Sequence, residues 1–151
     1  ALQGCPERLD DRRGRATILT PHDGEFARLT DRTLREIASS ERTELASRFA
    51  CEHGCILVLK GHRTLIALPD GTLYRNTTGS SALSKGGSGD VLAGMLVSLL
   101  GLGLPPMDAC CAAVWLHGRA GDLAAREVGL WGMTPSDLLD RIPAALREVT
   151  E

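Results

Sequence analysis

The chain of 151 residues carries 17 lysines and arginines against 19 aspartates and glutamates, which leaves a formal charge of −2. This balance excludes the broad basic surface that nucleic-acid-binding proteins usually carry. The longest uncharged apolar run, residues 91–104, is too short and too rich in glycine to span a bilayer, which needs about 20 residues. We therefore expect one globular domain over residues 1–151, with an aliphatic core because only 3% of the residues are aromatic.

The first part of the chain predicts two strands and two helical segments. Residues 16–19 form a short apolar run that stops at a Thr-Pro pair, as a buried strand would. Residues 24–29 predict a helical turn, and residues 34–53 predict a longer helix that a glycine ends. Residues 55–60 are continuously apolar and rich in branched side chains, which is typical of a strand buried on both faces.

The rest of the chain predicts a hairpin followed by helices, which makes the fold class α/β. Residues 64–68 and 72–75 flank a Pro-Asp-Gly turn, and residues 76–89 predict a loop rich in Gly, Ser and Thr. About four strands are few for helices with such large apolar faces, so part of the sheet is expected to lie outside this chain. The predicted helices cover residues 91–100, 107–127 and 134–151.

The five cysteines suit a reducing compartment, and hence the cytoplasm. Cys110 and Cys111 are adjacent in an alanine-rich apolar segment, where buried thiols are expected. Cys51, His53 and Cys55 form a C-x-H-x-C cluster, but no second ligand pair follows at the spacing of a zinc site. No residue is therefore assigned as a metal ligand.

The strongest chemical signal is a glycine-rich loop that leads directly into an apolar helix. Gly86, Gly87 and Gly89 surround Ser88, and these glycines allow backbone conformations in which successive N–H groups point into one concavity. The free N–H groups and the positive dipole end of the following helix add to such an anion site. The loop predicts a phosphate-binding site, although it is no Walker A loop because no Lys-Ser/Thr pair follows the glycines.

Asp90 stands where that helix begins. Beside a phosphate site, a carboxylate can act as the general base that takes the proton of an attacking hydroxyl group. The competing interpretation is that residues 86–90 form a plain loop and that Asp90 caps the helix. Both interpretations place the side chain at the first turn.

Lys60, Gly61, His62, Arg63 and Thr64 follow the carboxyl end of the predicted buried strand. Ligands of open α/β sheets bind outside these strand ends, and a Lys, a permissive Gly and a Thr hydroxyl suit a nucleotide phosphate. A hairpin turn with a solvated lysine explains the same residues equally well.

A second polar segment, residues 20–25, also follows a strand and contains a titratable His22 between a proline and two acids. The interpretation that gives this segment only a structural role is a proline-initiated turn with Asp23 or Glu25 near the start of a short helix. His117 lies within an apolar helix, where a hydrogen-bonded core histidine is more common than a catalytic one.

Five motifs occur in a characteristic order: TPHDGEFARL at 20–29, VLKG at 58–61, NTTG at 76–79, KGGSGDVLAG at 85–94 and LHG at 116–118. In this succession the sequence resembles the NAD(P)H-hydrate dehydratase family, which has a ribokinase-like fold, over residues 16–143. The G-G-S-G-D motif alone indicates only the wider ribokinase-like superfamily. The T-P-H-x-G-E segment narrows the resemblance to the dehydratases.

The resemblance implies a repair lyase that removes water from hydrated NADH or NADPH, with ADP or ATP as co-substrate and Mg²⁺ as the metal ion. Asp90 matches the family's catalytic base and also touches the substrate. Residues 86–89 match its anion hole, residues 60–64 match a nucleotide-binding segment, and His22 matches a hydrate-binding position. In the family's presumed route, the ring hydroxyl is phosphorylated and phosphate is then eliminated.

A domain of that family has a further N-terminal half, so the resemblance implies a three-layer αβα sandwich of which this chain is the C-terminal portion. Pairing with that half and assembly into a homo-oligomer both fit the apolar helix faces. Two other functions use the same loop: a ribokinase-like small-molecule kinase, and a non-catalytic nucleotide-binding fragment. Nucleic acids and membranes are not expected as partners.

Overall fold

The structure, a computed structural model, describes residues 2–38 and 41–150. Its contacts divide the chain into two compact units, Ala1–Arg75 and Asn76–Glu151. Unit 1 contains the strands, and the helices of unit 2 follow them in the chain. The α/β class is therefore confirmed, while the single domain over residues 1–151 stays a prediction.

Unit 1 is built on a four-stranded sheet whose strands lie in chain order. Strand β1 (Ile18–Leu19) runs parallel to β2 (Ile56–Leu59). The third strand pairs with β2 and the fourth pairs with the third, both antiparallel. The predicted hairpin is formed by β3 (Leu65–Ala67) and β4 (Leu73–Arg75). All four residues of β2 are buried, which confirms a strand covered on both faces.

Among its described residues, unit 1 contains a 3₁₀ helix, Pro6–Arg12, and three α-helices: α1 (Asp23–Leu29), α2 (Leu34–Ile37) and α3 (Arg42–His53). The prediction of a single helix over residues 34–53 is wrong, because α2 ends at Ile37 with Ala38 as its C-cap, and α3 begins only at Arg42. Part of that expected helix, Ser39 and Ser40, lies outside the described residues. Amphipathic spacing across this region reflects two helices on one core rather than one continuous helix.

The core of unit 1 forms between α3 and the sheet. Phe49 of α3 meets Phe26 of α1 edge to face, with 5.3 Å between ring centroids, and both pack with Leu57 and Leu59 of β2. Edge-to-face packing is a favoured arrangement of aromatic pairs. Gly54 ends α3 in a left-handed conformation (φ +59°), so that the chain can turn directly into β2.

Unit 2 contains α4 (Ser88–Gly101), α5 (Pro106–Val128) and α6 (Pro135–Thr150). Helix α4 begins three residues earlier than the apolar run 91–100 predicted, so the end of the glycine-rich loop is already helical. A short 3₁₀ turn, Ser81–Leu83, interrupts the predicted loop before it. The last predicted helical residue, Glu151, lies outside the described residues. No helix in the described ranges has both the length and the apolarity to cross a membrane.

Candidate functional site

The polar segments 20–25 and 60–64, which are far apart in the sequence, lie side by side in unit 1. The backbone amide of Lys60 donates to the carbonyl of Pro21 at 2.8 Å, and His22 pairs with Lys60 in a parallel bridge. Both residues follow the carboxyl ends of the parallel strands β1 and β2, which end at the same edge of the sheet. The structure thus joins the polar segments 20–25 and 60–64 into one edge.

His22 is the N-cap of α1, which confirms the structural interpretation of this segment. Its Nδ1 accepts hydrogen bonds from the amides of Gly24 (3.0 Å) and Glu25 (3.2 Å), and the Glu25 carboxylate accepts the His22 amide at 2.7 Å. Because Nδ1 accepts two N–H groups, the neutral ring carries its proton on Nε2. The side chain is 54% exposed, so the ring caps the helix with one nitrogen, while the other, Nε2, lies 3.6 Å from Glu25 Oε1.

Glu25 joins this cap to the neighbouring strand end. Its carboxylate lies 3.7 Å from Lys60 Nζ, so the lysine is not the freely solvated one of the competing interpretation. Partial burial by itself raises the pKa of Glu25, but the bond from the His22 amide and the charge of Lys60 outweigh it and hold the pKa below its usual value. The edge therefore carries an ionised carboxylate beside one cation.

Arg42 is a residue of this edge that the sequence did not single out. Its Nη2 donates to the carbonyls of Leu59 (3.1 Å) and Lys60 (3.2 Å), and its Nε donates to Asp23 Oδ1 at 3.0 Å. The side chain is only 16% exposed, which strengthens these charge-assisted bonds. No local sequence pattern marks it, because its partners lie 17 to 19 residues away.

The turn after β2 is exposed and strained at one position. Arg63 has a φ of +55°, a left-handed conformation that non-glycine residues adopt infrequently. The hydroxyl of Thr64 donates to the carbonyl of Gly61 at 3.2 Å and closes the turn. The segment connects β2 to β3, so the predicted hairpin turn is present. It holds the side chains of His62 and Arg63 in solvent.

Unit 2 holds the glycine-rich loop at the start of α4. In the described part of the chain, the amides of Gly86, Gly87 and Gly89 donate to no carbonyl and to no side chain. The amide of Ser88 is taken by the carbonyl of Lys85 at 3.3 Å. Unpaired N–H groups at a helix N-terminus are the donors that an anion binds.

The loop is fixed by the segment that precedes and begins α6. Gly87 has a φ of +88°, and a Cβ at this position would lie 2.9 Å from Cγ of Pro135. Only glycine fits both the conformation and the space. The ammonium group of Lys85 donates to the carbonyl of Trp131. Thr134 and Asp137 cap each other across the first turn of α6, which holds Pro135 in place.

Asp90 lies in the first turn of α4 and is exposed. The cap position is occupied by Gly87, and no side-chain cap bond is made there. Among the described residues, the Asp90 carboxylate forms no hydrogen bond and no ion pair. The capping interpretation of Asp90 is therefore wrong, and both carboxylate oxygens remain available to a ligand.

Ser88, expected in the phosphate loop, uses its side chain inside the protein. It is 4% exposed, and its hydroxyl lies 3.2 Å from Nε2 of His117, which is itself 9% exposed. The same nitrogen lies 2.9 Å from the Ser88 carbonyl. The prediction that His117 is a hydrogen-bonded core histidine is confirmed.

The NTTG segment, residues 76–79, packs against helix α5. Thr78 Oγ1 donates to the carbonyl of Trp115 at 2.9 Å, and the amide of Gly79 donates to Asp122 Oδ2 at 3.0 Å. A Cβ on Gly118 would overlap the side chain of Thr78, so this helix position must be glycine. The glycine of the LHG motif thus makes room for the NTTG segment on helix α5.

The C-x-H-x-C cluster does not converge. Cys51 is exposed and Cys55 is buried, while His53 stacks on Phe49 with 4.5 Å between ring centroids. Within residues 2–38 and 41–150, no group of three or more His, Cys, Asp or Glu side chains is placed to hold a metal ion.

Comparison with known proteins places these features in a family. A model of the family described as NAD(P)H-hydrate dehydratase matches residues 6–144. The chain is 47% identical over 134 residues to the bifunctional NAD(P)H-hydrate repair enzyme of Moorella thermoacetica, which covers 89% of this chain and 25% of that protein. It is 40% identical over 126 residues to the ADP-dependent (S)-NAD(P)H-hydrate dehydratase of Bacillus subtilis, covering 83% of this chain and 45% of that protein.

Solved structures agree with the sequence relatives. The ADP/ATP-dependent NAD(P)H-hydrate dehydratase from Bacillus subtilis, co-crystallized with ATP/Mg²⁺, matches with a TM-score of 0.85 and 38% identity over 89% of this chain and 48% of that chain. A ribokinase-like superfamily protein from Enterococcus faecalis matches with a TM-score of 0.74 and 29% identity, over 87% of this chain and 44% of that chain. The expected ribokinase-like fold is confirmed. The chain spans between about a quarter and half of the length of these relatives.

Proposed function

The chain belongs to the NAD(P)H-hydrate dehydratase family, and from that premise we propose that it carries out the nucleotide-dependent removal of water from hydrated NADH or NADPH. The observation that carries this proposal is the set of unpaired amides at Gly86, Gly87 and Gly89, next to an exposed and unpaired Asp90. Phosphate binding and proton removal are the two tasks that phosphorylation of a hydroxyl group requires.

The loop amides are proposed to bind the phosphate that is transferred. Gly87 and Gly89 are half-buried, and the start of α4 adds the positive end of its dipole. Donors held in place before the reaction stabilise the charge that develops on the phosphoryl oxygens. Ser88 supports the loop from within rather than by a hydroxyl contact, because its side chain is buried against His117.

Asp90 is proposed as the general base. It takes the proton of the ring hydroxyl while that oxygen attacks the terminal phosphorus, and the bond from this phosphorus to the rest of the nucleotide breaks. The lone pair of the ring nitrogen then expels phosphate from the ring carbon, and a proton leaves the neighbouring carbon to restore the double bond. ADP would be converted to AMP in this step, and ATP to ADP.

The sheet edge of unit 1 is proposed to bind the two ligands. Lys60 and the exposed turn 61–64 offer a cation and a strained arginine to the nucleotide, and the Thr64 hydroxyl closes that turn. Such strained residues concentrate at ligand sites. His22 offers its exposed Nε2–H to the hydrate. The acceptor role of its Nδ1 in the helix cap keeps that tautomer in place.

Mg²⁺ is proposed to arrive with the nucleotide. The described residues contain no cage of three or more acidic, His or Cys side chains, and Mg²⁺ is commonly held by one or two carboxylates together with substrate phosphates. The carboxylate of Asp90 fits the protein part of this donor set, while the loop amides would hold the phosphates that bring the ion. When bound, the ion neutralises charge on the phosphate oxygens.

We also propose that the reaction takes place in the cytoplasm, since all five cysteines are free thiols, as a reducing compartment maintains them. We further propose that the chain assembles into a homo-oligomer or pairs with the N-terminal half of the family domain. Light scattering on the full-length protein measures the first, and intact mass of the native polypeptide tests the second.

The function is tested by incubating the full-length protein with hydrated NADH, Mg²⁺ and either ADP or ATP. Recovery of NADH absorbance is expected, together with equimolar phosphate and the shortened nucleotide. A stable phosphorylated product without recovered NADH would favour a ribokinase-like kinase instead. Nucleotide binding without turnover would favour a non-catalytic binding protein.

A further inference from the structure

We propose that His117 is a positioning residue of the phosphate loop, which it orients by holding the carbonyl of Ser88. The inference rests on the proposed function in one respect, since it takes the loop at Gly86–Gly89 to be the phosphate site. It goes beyond that function by giving a role to a buried side chain on α5 that touches neither nucleotide nor hydrate.

The contact between His117 and Ser88 has a defined direction. Nε2 of His117 lies 2.9 Å from the Ser88 carbonyl oxygen and 3.2 Å from its hydroxyl oxygen. A carbonyl oxygen only accepts hydrogen bonds, so Nε2 must carry the proton and donate it. Both residues are buried, at 9% and 4% exposure, so water does not compete for this bond.

Through the geometry of the peptide group, this contact also determines the direction of the Gly89 amide. The carbonyl of Ser88 and the amide of Gly89 belong to one planar trans peptide unit, in which C=O and N–H point in opposite directions. A donor that fixes the carbonyl toward α5 therefore fixes the Gly89 N–H away from α5. That amide has no partner among the described residues and is one of the three proposed phosphate donors.

The loop needs such support because it contains three glycines. The Ser88–Gly89 peptide belongs to the first turn of α4, and glycine makes such a turn less stable than other residues do, so a contact from outside the helix helps to hold the direction of the Gly89 amide. Asp90 follows directly, and its amide bonds to the Gly87 carbonyl at 3.1 Å. A rotation of the Ser88–Gly89 peptide would therefore also displace the proposed base.

The test replaces His117 in the full-length protein. His117→Phe keeps a planar ring but removes the donor, and His117→Asn places its amide nitrogen where Nδ1 was, too short to reach Ser88. His117→Gln extends an amide donor toward the position of Nε2. Cys110→Ala, a buried change about two turns earlier on α5, is the control for loss of stability alone.

We expect the Phe and Asn variants to raise the KM for the nucleotide and lower kcat, each by about tenfold, which corresponds to the loss of one positioned hydrogen bond. The Gln variant should restore both constants to within about threefold of the wild type. Hydrogen exchange of the segment 86–92 should be faster in the Phe and Asn variants. Cys110→Ala should lower the melting temperature and leave KM and the exchange of this segment unchanged.

The outcomes separate the positioning role from the proposed function. If the Phe and Asn variants melt at lower temperature but keep KM, kcat and loop exchange, the positioning role is overturned. It is also overturned if Gln behaves as Phe does. If the wild type shows no dehydration, but ADP binding weakens and loop exchange rises in the Phe and Asn variants and not in the Gln variant, the proposed function fails and the positioning role stands.

Discussion

Arg42 occupies the space that a side chain at position 61 would need: its Nη2 lies 2.9 Å from where a Cβ on Gly61 would be. The same nitrogen bonds the carbonyls of Leu59 and Lys60, so it cannot move aside without losing both contacts. Gly61 also has a φ of +156°, which other residues rarely adopt. A partly buried arginine on α3 thus explains why the strand end at Lys60 is followed by glycine.

Replacing Gly61 by alanine should therefore destabilise the protein by about 1–3 kcal/mol, through backbone strain and a displaced arginine. Chemical denaturation of the two proteins measures the difference. Gly101→Ala is the matched control, because a Cβ there meets nothing within 4 Å and the residue lies at the end of α4. An unchanged free energy of unfolding in Gly61→Ala would contradict the steric account.

His22→Asn separates the cap from the proposed ligand contact. Asparagine is a strong N-cap residue, so the free energy of unfolding should change by less than about 0.5 kcal/mol. The exposed Nε2–H is lost, and the KM for hydrated NADH should rise several-fold at unchanged stability. His22→Ala, which removes both functions, should be less stable as well. Equal KM values in wild type and His22→Asn would refute the binding role.

Asp90→Asn removes the proposed base and keeps the shape of the side chain. Since the carboxylate makes no hydrogen bond within the described chain, stability should be preserved. Turnover should fall by about two to four orders of magnitude, the usual range for loss of a general base, while ADP binding persists. Asp108→Asn, an exposed carboxylate in the first turn of α5, is the matched control and should leave turnover unchanged.

Glu25 makes the sheet edge sensitive to acid. Its pKa is lowered in the folded state, so its stabilising contribution is present above the unfolded value of about 4.3 and is lost as pH falls through the folded value. The difference in free energy of unfolding between wild type and Glu25→Gln should therefore shrink from pH 7 to pH 3. The control is Glu44→Gln, which removes a carboxylate from the first turn of α3. It measures how much such a carboxylate contributes to the free energy of unfolding without Lys60 and His22 as partners. A difference that stays constant over this range would contradict the assignment.

The two cysteines of the C-x-H-x-C cluster should react at very different rates. Burial raises the pKa of the Cys55 thiol to about 11, whereas Cys51 is exposed. Because the thiolate is the reactive form, brief treatment of the native protein with iodoacetamide at pH 8 should modify Cys51 and spare Cys55. Peptide mass spectrometry measures this, and denaturation in urea should remove the difference. Equal labelling in the native state would show that Cys55 is accessible.

Several elements were predictable because their signals are local. The continuous apolar run of β2 and the Pro-Asp-Gly turn between β3 and β4 each reflect a pattern within a few residues. The early start of α4 was missed because helix propensity opposes glycine, while the contacts of the buried Ser88 with His117 hold a first turn there. The break before α3 was missed because an amphipathic pattern continues across two helices that share one core.

The sequence by itself determined the class of fold, the family and the residue types available for phosphate chemistry. It determined them because periodicity, turn residues and ordered motifs are read along the chain. Only the tertiary structure decided that His22 lies beside Lys60, that Arg42 closes the strand end and that His117 holds Ser88. These contacts join residues 18 to 38 positions apart, whose pairing depends on strand register and helix packing rather than on neighbouring side chains.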